Sequence, residues 1–137
     1  MIAAPVSAQF KKPADAIDYR QSAFTVMAAH FGRIGAVVKG AAPYDAKTTA
    51  ANAAVVSTLA SLPFTAFGPG TDKGKKTGAK PNVWTDAAGF KAAADKMVAA
   101  VAKLDTAAKS GNLDAVKAAF GETGKTCKGC HDDYRSK

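Results

Sequence analysis

The chain has 137 residues, 47% of them apolar, and its 19 Lys and Arg outnumber 11 Asp and Glu for a formal charge of +8. That length holds one domain with one core, and no stretch approaches the ~20 apolar residues of a membrane span. The lysines are scattered and the aromatics mostly fall on apolar stripes, which speaks against a nucleic-acid surface, while the basic balance suggests acidic protein partners or weak binding to anionic surfaces.

Residues 1–8 read as the remnant of a signal peptide. Val6-Ser7-Ala8 fits the small-residue pattern before a signal-peptidase cut, leaving Gln9 as the mature start and 9–137 as the folded domain. An ordinary frayed terminus is the alternative. A first helix is predicted from Pro13, an N1-type proline, to near Gly40. Its stripe is Ile17, Gln21, Phe24, Ala28, Phe31, Gly35 and Val38, widened by Met27 and Ile34. Asp45 is the predicted N-cap of a second helix, which carries Val55, Val56 and Leu59 and stops at Leu62 before Pro63.

Residues 63–85 predict an irregular loop. Pro63, Pro69, Pro81 and four glycines oppose regular structure, and Lys73, Lys75, Lys76 and Lys80 keep its middle in water. Phe64, Phe67 and Trp84 are expected to pin its ends. Asp86 caps a third helix with the stripe Phe90, Ala94, Met97, Val101, Leu104, Ala108, and Gly111 is its expected C′ residue. A fourth helix starts near Asn112. Its stripe Leu113, Val116, Phe120, Thr123, Cys127, Cys130, Tyr134 alternates steps of three and four, which places both cysteines on the inner face. Gly121, Gly124 and Gly129 weaken this helix; they either admit close approach of a flat cofactor or are tolerated poor helix formers. The expected fold is all-α, an antiparallel four-helix bundle around one cofactor.

That cofactor is named by Cys127-Lys128-Gly129-Cys130-His131, the C-x-x-C-H pattern of covalent haem c attachment. Each thiol adds across one haem vinyl group, and the histidine supplies an axial imidazole to the iron. On a helix the three residues share one face. The competing readings fail on specifics. A disulfide here would close a trivial loop, a thioredoxin-type pair needs a βαβ setting, and a structural zinc needs four ligands where only His30 remains, far upstream. Thioether formation requires reduced cysteines meeting haem outside the cytoplasm, which in a bacterium is the periplasm.

Two polar residues interrupt the first stripe. Arg20, if buried, needs an anion, and a haem propionate would serve with Gln21 bonding nearby; otherwise Arg20 snorkels to solvent. Met27 is the methionine of that helix, and at core spacing it reads as packing rather than as a second iron ligand. His30 lies off the stripe and reads as a surface residue.

Tyr19-Arg20-Gln21-Ser22, Phe67-Gly68-Pro69-Gly70-Thr71, Trp84-x-Asp86 and the terminal C-x-x-C-H with Tyr134-Arg135 recur together in one family. From Gln9 to its end the chain resembles the cytochromes c′, class II c-type cytochromes. The resemblance implies a homodimer of four-helix bundles and a pentacoordinate, high-spin haem with His131 as the only protein ligand. It implies haem contacts from Arg20 and Gln21, an arginine beside the proximal histidine at Arg135, and Phe24 over the vacant iron face, where the family usually has leucine or another apolar side chain.

Two functions follow: capture of the diatomic gases NO and CO, with Fe(III)/Fe(II) electron transfer as a further capacity, or a purely electron-carrying, low-spin cytochrome serving periplasmic redox partners. A peroxidase needs a distal acid–base group that Phe24 does not offer, so no enzymatic activity is expected.

Overall fold

The computed structural model describes residues 9–136. The expected signal-peptide remnant, residues 1–8, lies outside the described residues. Four long helices make the fold: α1 (Pro13–Val38), α2 (Ala46–Leu59), α3 (Ala87–Lys109) and α4 (Leu113–Tyr134). Among the described residues no strand forms, and the one β-type contact is an isolated bridge between Ala79 and Arg135.

Each helix starts where its local chemistry dictates. Pro13 occupies the first turn of α1, where its missing N–H has no role. Asp45 accepts from the Thr48 N–H at 2.9 Å, Asp86 from Gly89 at 3.3 Å and Asn112 from Ala115 at 3.1 Å, so each side chain satisfies a helix-end donor. Gly111 ends α3 at φ +72°, a left-handed conformation that favours glycine.

The helices pack in a closed ring, α1 on α2, α2 on α3, α3 on α4 and α4 back on α1. Short links make α1 and α2, and likewise α3 and α4, antiparallel neighbours, while the longer 60–86 segment joins α2 to α3. One core cluster holds Ile34, Ala53, Leu104, Ala108 and Val116; a second holds Met27, Val56, Ala60, Met97 and Val101. Phe31 and Phe120 stack at 4.3 Å between them. Gly35 makes room for that stack, because a Cβ there would stand 3.0 Å from the Phe120 ring.

Two sequence expectations need correction. The first concerns the phase of the α1 stripe. Arg20, Met27 and Ile34 are buried, whereas Gln21 and Ala28 are exposed. Both of the latter line the cavity described below, so the expected stripe is split between core and cavity. The second concerns residues 63–85. α2 ends at Leu59, and a 3₁₀-helix follows at Leu62–Ala66 with Pro63 in its first turn. Proline cannot extend a helix from within but suits the start of a new one. A single helical turn at Asn82–Thr85 then leads into α3. Lys73, Lys75 and Lys76 are exposed, as expected.

Candidate cofactor site

At one end of the bundle the helices part around a cavity of 440 Å³, lined mostly by apolar groups. That volume lies in the ~300–1,000 Å³ range of cofactor pockets. α4 contributes Cys127, Cys130 and His131 to its wall; α1 contributes Arg20, Gln21, Phe24, Met27 and Phe31; Phe64, Phe67 and Phe90 add an aromatic side. Arg135, Tyr134 and the segment Thr77–Ala79 also belong to the lining. All seven residues singled out from sequence therefore meet at one cavity: Cys127, Cys130, His131, Arg20, Gln21, Phe24 and Arg135.

Helical spacing explains the α4 group, since residues three and four apart share a face. Both cysteines are free thiols and half-buried. Burial pushes both thiols above their ordinary pKa, so they are protonated at neutral pH. Burial, and then the nearby Arg135 charge, lowers the pKa of His131. A neutral imidazole has a free lone pair, the form that ligates metals. Among the described residues no group of three or more His, Cys, Asp and Glu side chains converges to hold a bare metal ion. Two thiols and an imidazole on one helix face, opening on an apolar cavity of this size, fit a flat metal-bearing group attached through its rim.

Arg20 lines the cavity wall, and its burial decides one of its two sequence alternatives. It is 2% exposed, which excludes snorkelling. Its guanidinium donates to Ala66 O at 2.9 Å, Thr71 Oγ1 at 3.0 Å, Thr71 O at 2.9 Å and Thr77 Oγ1 at 3.3 Å. It also lies 4.4 Å from the centroid of the Phe67 ring. Its donors thus fasten the 63–85 segment to α1. Desolvation lowers its pKa to about 10, which still leaves it charged at neutral pH. Gln21 extends the same seam by donating to Lys76 O at 3.1 Å.

Phe24 meets Phe64 edge-on at 5.9 Å, and Phe64 and Phe67 both contact Phe90. Trp84 donates from its indole nitrogen to Phe67 O at 2.9 Å. The aromatics do pin the ends of the segment. Met27 is buried in the core and also touches the cavity. His30 does not line it; its ring bonds Asn52 Oδ1 at 2.9 Å across α1 and α2. Gly121, Gly124 and Gly129 do not line it either, and a Cβ at each would meet no other side chain. Sequence reasoning missed the bonds that Thr71 and Thr77 make to Arg20, since loop threonines carry no signal of a distant partner, and the hydrogen bond from the Tyr134 hydroxyl to Asp86 Oδ2 at 2.9 Å. Asp86 was legible as a cap and a motif residue but not as the partner of Tyr134.

A family profile described as Cytochrome C′ matches residues 15–135. Cytochrome c′ of Rubrivivax gelatinosus is 66% identical over 129 residues, covering 94% of this chain and 100% of its own. Cytochrome c′ of Alcaligenes xylosoxydans xylosoxydans is 54% identical over 129 residues, covering 94% and 99%. The crystal structure of the Rubrivivax protein superposes with a TM-score of 0.91 at 65% identity, over 93% of this chain and 99% of that one. A nitric oxide complex of a cytochrome c′ mutant from Alcaligenes xylosoxidans superposes at 0.88 with 53% identity, over 93% and 98%. A carbon monoxide-bound variant of that protein gives the same score and identity, over 93% and 99%.

Proposed function

The chain belongs to the cytochrome c′ family, and from that premise we propose that it is a periplasmic haem protein whose pentacoordinate, high-spin iron captures NO and CO and also exchanges single electrons. A cytochrome c′ carries covalent haem c, which supplies the iron for gas binding and for the Fe(III)/Fe(II) couple. Cys127 and Cys130 would form the thioethers, His131 would ligate the iron, and Phe24 would stand over its other face. As an apolar side chain it offers a bound water no hydrogen bond, while a small uncharged diatomic needs none. Arg20 would offer its charge to a propionate with Gln21 nearby, while its N–H groups hold the 63–85 segment, and Arg135 would stand beside the proximal His131. The role is binding and electron transfer, not catalysis.

The observation that carries this reading is the meeting of the C-x-x-C-H face and Phe24 at one apolar cavity. Gas complexes of the Alcaligenes relative support the ligand class. The low-spin carrier stays as a second reading because Met27 touches the same cavity. Absorption spectra of the ferric and ferrous protein, with and without NO, separate the two. A high-spin ferric spectrum that changes with NO supports gas capture; a low-spin spectrum unmoved by NO supports the carrier. Pyridine haemochrome analysis should find one haem per chain, resistant to acid-acetone extraction.

Redox partners with acidic docking faces suit the chain's net charge of +8. A homodimer is favoured by an apolar patch on α1 and α2. Tyr19 and Val26, 38% and 45% exposed, are its most accessible large side chains, and Phe10, Leu59 and Leu62 border it. Sedimentation at micromolar concentration tests this, and a monomer alone would contradict it.

A further inference from the structure

His131 lies one turn from the end of α4, where a helix leaves its last carbonyls without partners. In this chain that turn is held from outside by the segment 78–82. The Lys80 N–H donates to Tyr134 O at 2.9 Å, the Ser136 N–H to Gly78 O at 2.7 Å, and Asn82 Nδ2 to Asp133 O at 2.7 Å. The Ala79–Arg135 bridge belongs to the same strap.

A side-chain tie reinforces it. Tyr134 is 8% exposed, its ring meets Phe90 edge-on at 5.3 Å, and its hydroxyl donates to Asp86 Oδ2. Asp86 serves two donors at once, since its other oxygen caps α3 through the Gly89 N–H. Gly89 leaves room for this crossing: a Cβ there would meet both the Asp86 carboxylate and the Tyr134 hydroxyl and push the tie apart. Metal-ligating imidazoles are commonly oriented by a hydrogen bond to their second nitrogen. Here the attachments converge on the backbone that follows the histidine.

We propose that Tyr134 is a positioning residue for His131: its hydroxyl, tied to Asp86 over Gly89, holds the last turn of α4 against the 78–82 strap and so sets the direction of the imidazole toward the haem iron. The inference rests on His131 being the axial ligand. Tyr134→Phe removes the hydroxyl and keeps the ring contact with Phe90. Asp86→Ser keeps an N-cap but is too short to reach Tyr134. Asp86→Asn keeps both links, with its oxygen capping Gly89 and its amide donating to the Tyr134 oxygen.

The experiment is resonance Raman spectroscopy of the ferrous holoprotein, reading the iron–histidine stretching band, with melting temperature measured alongside. Tyr134→Phe and Asp86→Ser should each shift that band to lower frequency, while Asp86→Asn should stay near wild type. An unmoved band in both Tyr134→Phe and Asp86→Ser overturns the proposal whatever happens to the melting temperature, because the tie would then be structural only. If wild type itself shows no iron–histidine band, the pentacoordinate iron of the proposed function fails, through a sixth ligand or the loss of His131, and this inference fails with it, an outcome distinct from an unmoved band.

Discussion

Replacing Arg20 with Met tests how the 63–85 segment is held. The substitution keeps a long apolar stem and removes the guanidinium. Two carbonyls, on the buried residues Ala66 and Thr71, would lose a donor supplied at 2.9 Å. Each orphaned acceptor costs about 1–3 kcal/mol. The contact with Phe67 adds ~0.5–2 kcal/mol. Relief of the buried charge's desolvation, visible in its lowered pKa, offsets part of this. The net expectation is a loss of about 2–5 kcal/mol, set by the two orphaned carbonyls and the lost ring contact less that relief. Arg20→Lys should fall between, because an ammonium keeps the charge but cannot span all the acceptors in one plane. Urea unfolding of the holoprotein, followed by circular dichroism and by the haem band, gives the magnitude. Trypsin adds a local reading, since Lys73, Lys75 and Lys76 are exposed in the segment and should be cut faster once it is released. A loss under ~1 kcal/mol with unchanged tryptic cleavage would refute the reasoning.

Phe24→Ala should speed CO association after flash photolysis by opening the covered iron face. Its stability loss should fall below the ~3–5 kcal/mol of a fully buried phenylalanine, because Phe24 is only half-buried. Met27→Ala should leave the ferric spin state unchanged and reduce stability by about 2–5 kcal/mol from core packing; a change from low to high spin would make Met27 the sixth ligand. Gly35→Ala should destabilise by about 1–3 kcal/mol as the new methyl presses on Phe120, and near-ultraviolet dichroism should report disturbance of the Phe31–Phe120 stack. The hydrogen bond from the Thr48 N–H lowers the pKa of Asp45 in the folded protein. Its stabilising effect is thus present above the unfolded pKa and lost as pH falls through the lowered folded value. The stability gap between wild type and Asp45→Ala, measured by denaturant titration at several pH values, should be widest at neutral pH and close in acid.

Much of this architecture is legible in the order of residues alone. Pro13, Asp45, Asp86, Gly111 and Asn112 mark helix ends through interactions with residues a few places away. The three-and-four spacing of Cys127, Cys130 and His131 puts them on one helical face whatever surrounds them. Local chemistry was enough for these because partner and signal lie within one turn. The precise phase of α1 was not legible. Gln21 and Met27 both sit near the stripe, and only packing against α2 and α3 shows that Met27 faces the core while Gln21 faces the cavity.

The tertiary structure alone decided how residues 63–85 are used. Read locally, four glycines and three prolines describe a loose connection, yet Arg20 bonds it 46 to 57 residues along the chain. The Ser136 side chain donates to Gly78 O across 58 residues. Glycine, threonine and backbone carbonyls carry no pattern that names a distant partner, because such a bond depends on where the folded helices bring the two ends. The sequence by itself determined the helices, their caps and the chemistry of the C-x-x-C-H face. Packing decided which face of α1 meets the core, turned Arg20 into the fastening of the 63–85 segment, and brought the Tyr134 hydroxyl onto Asp86 from 48 residues away.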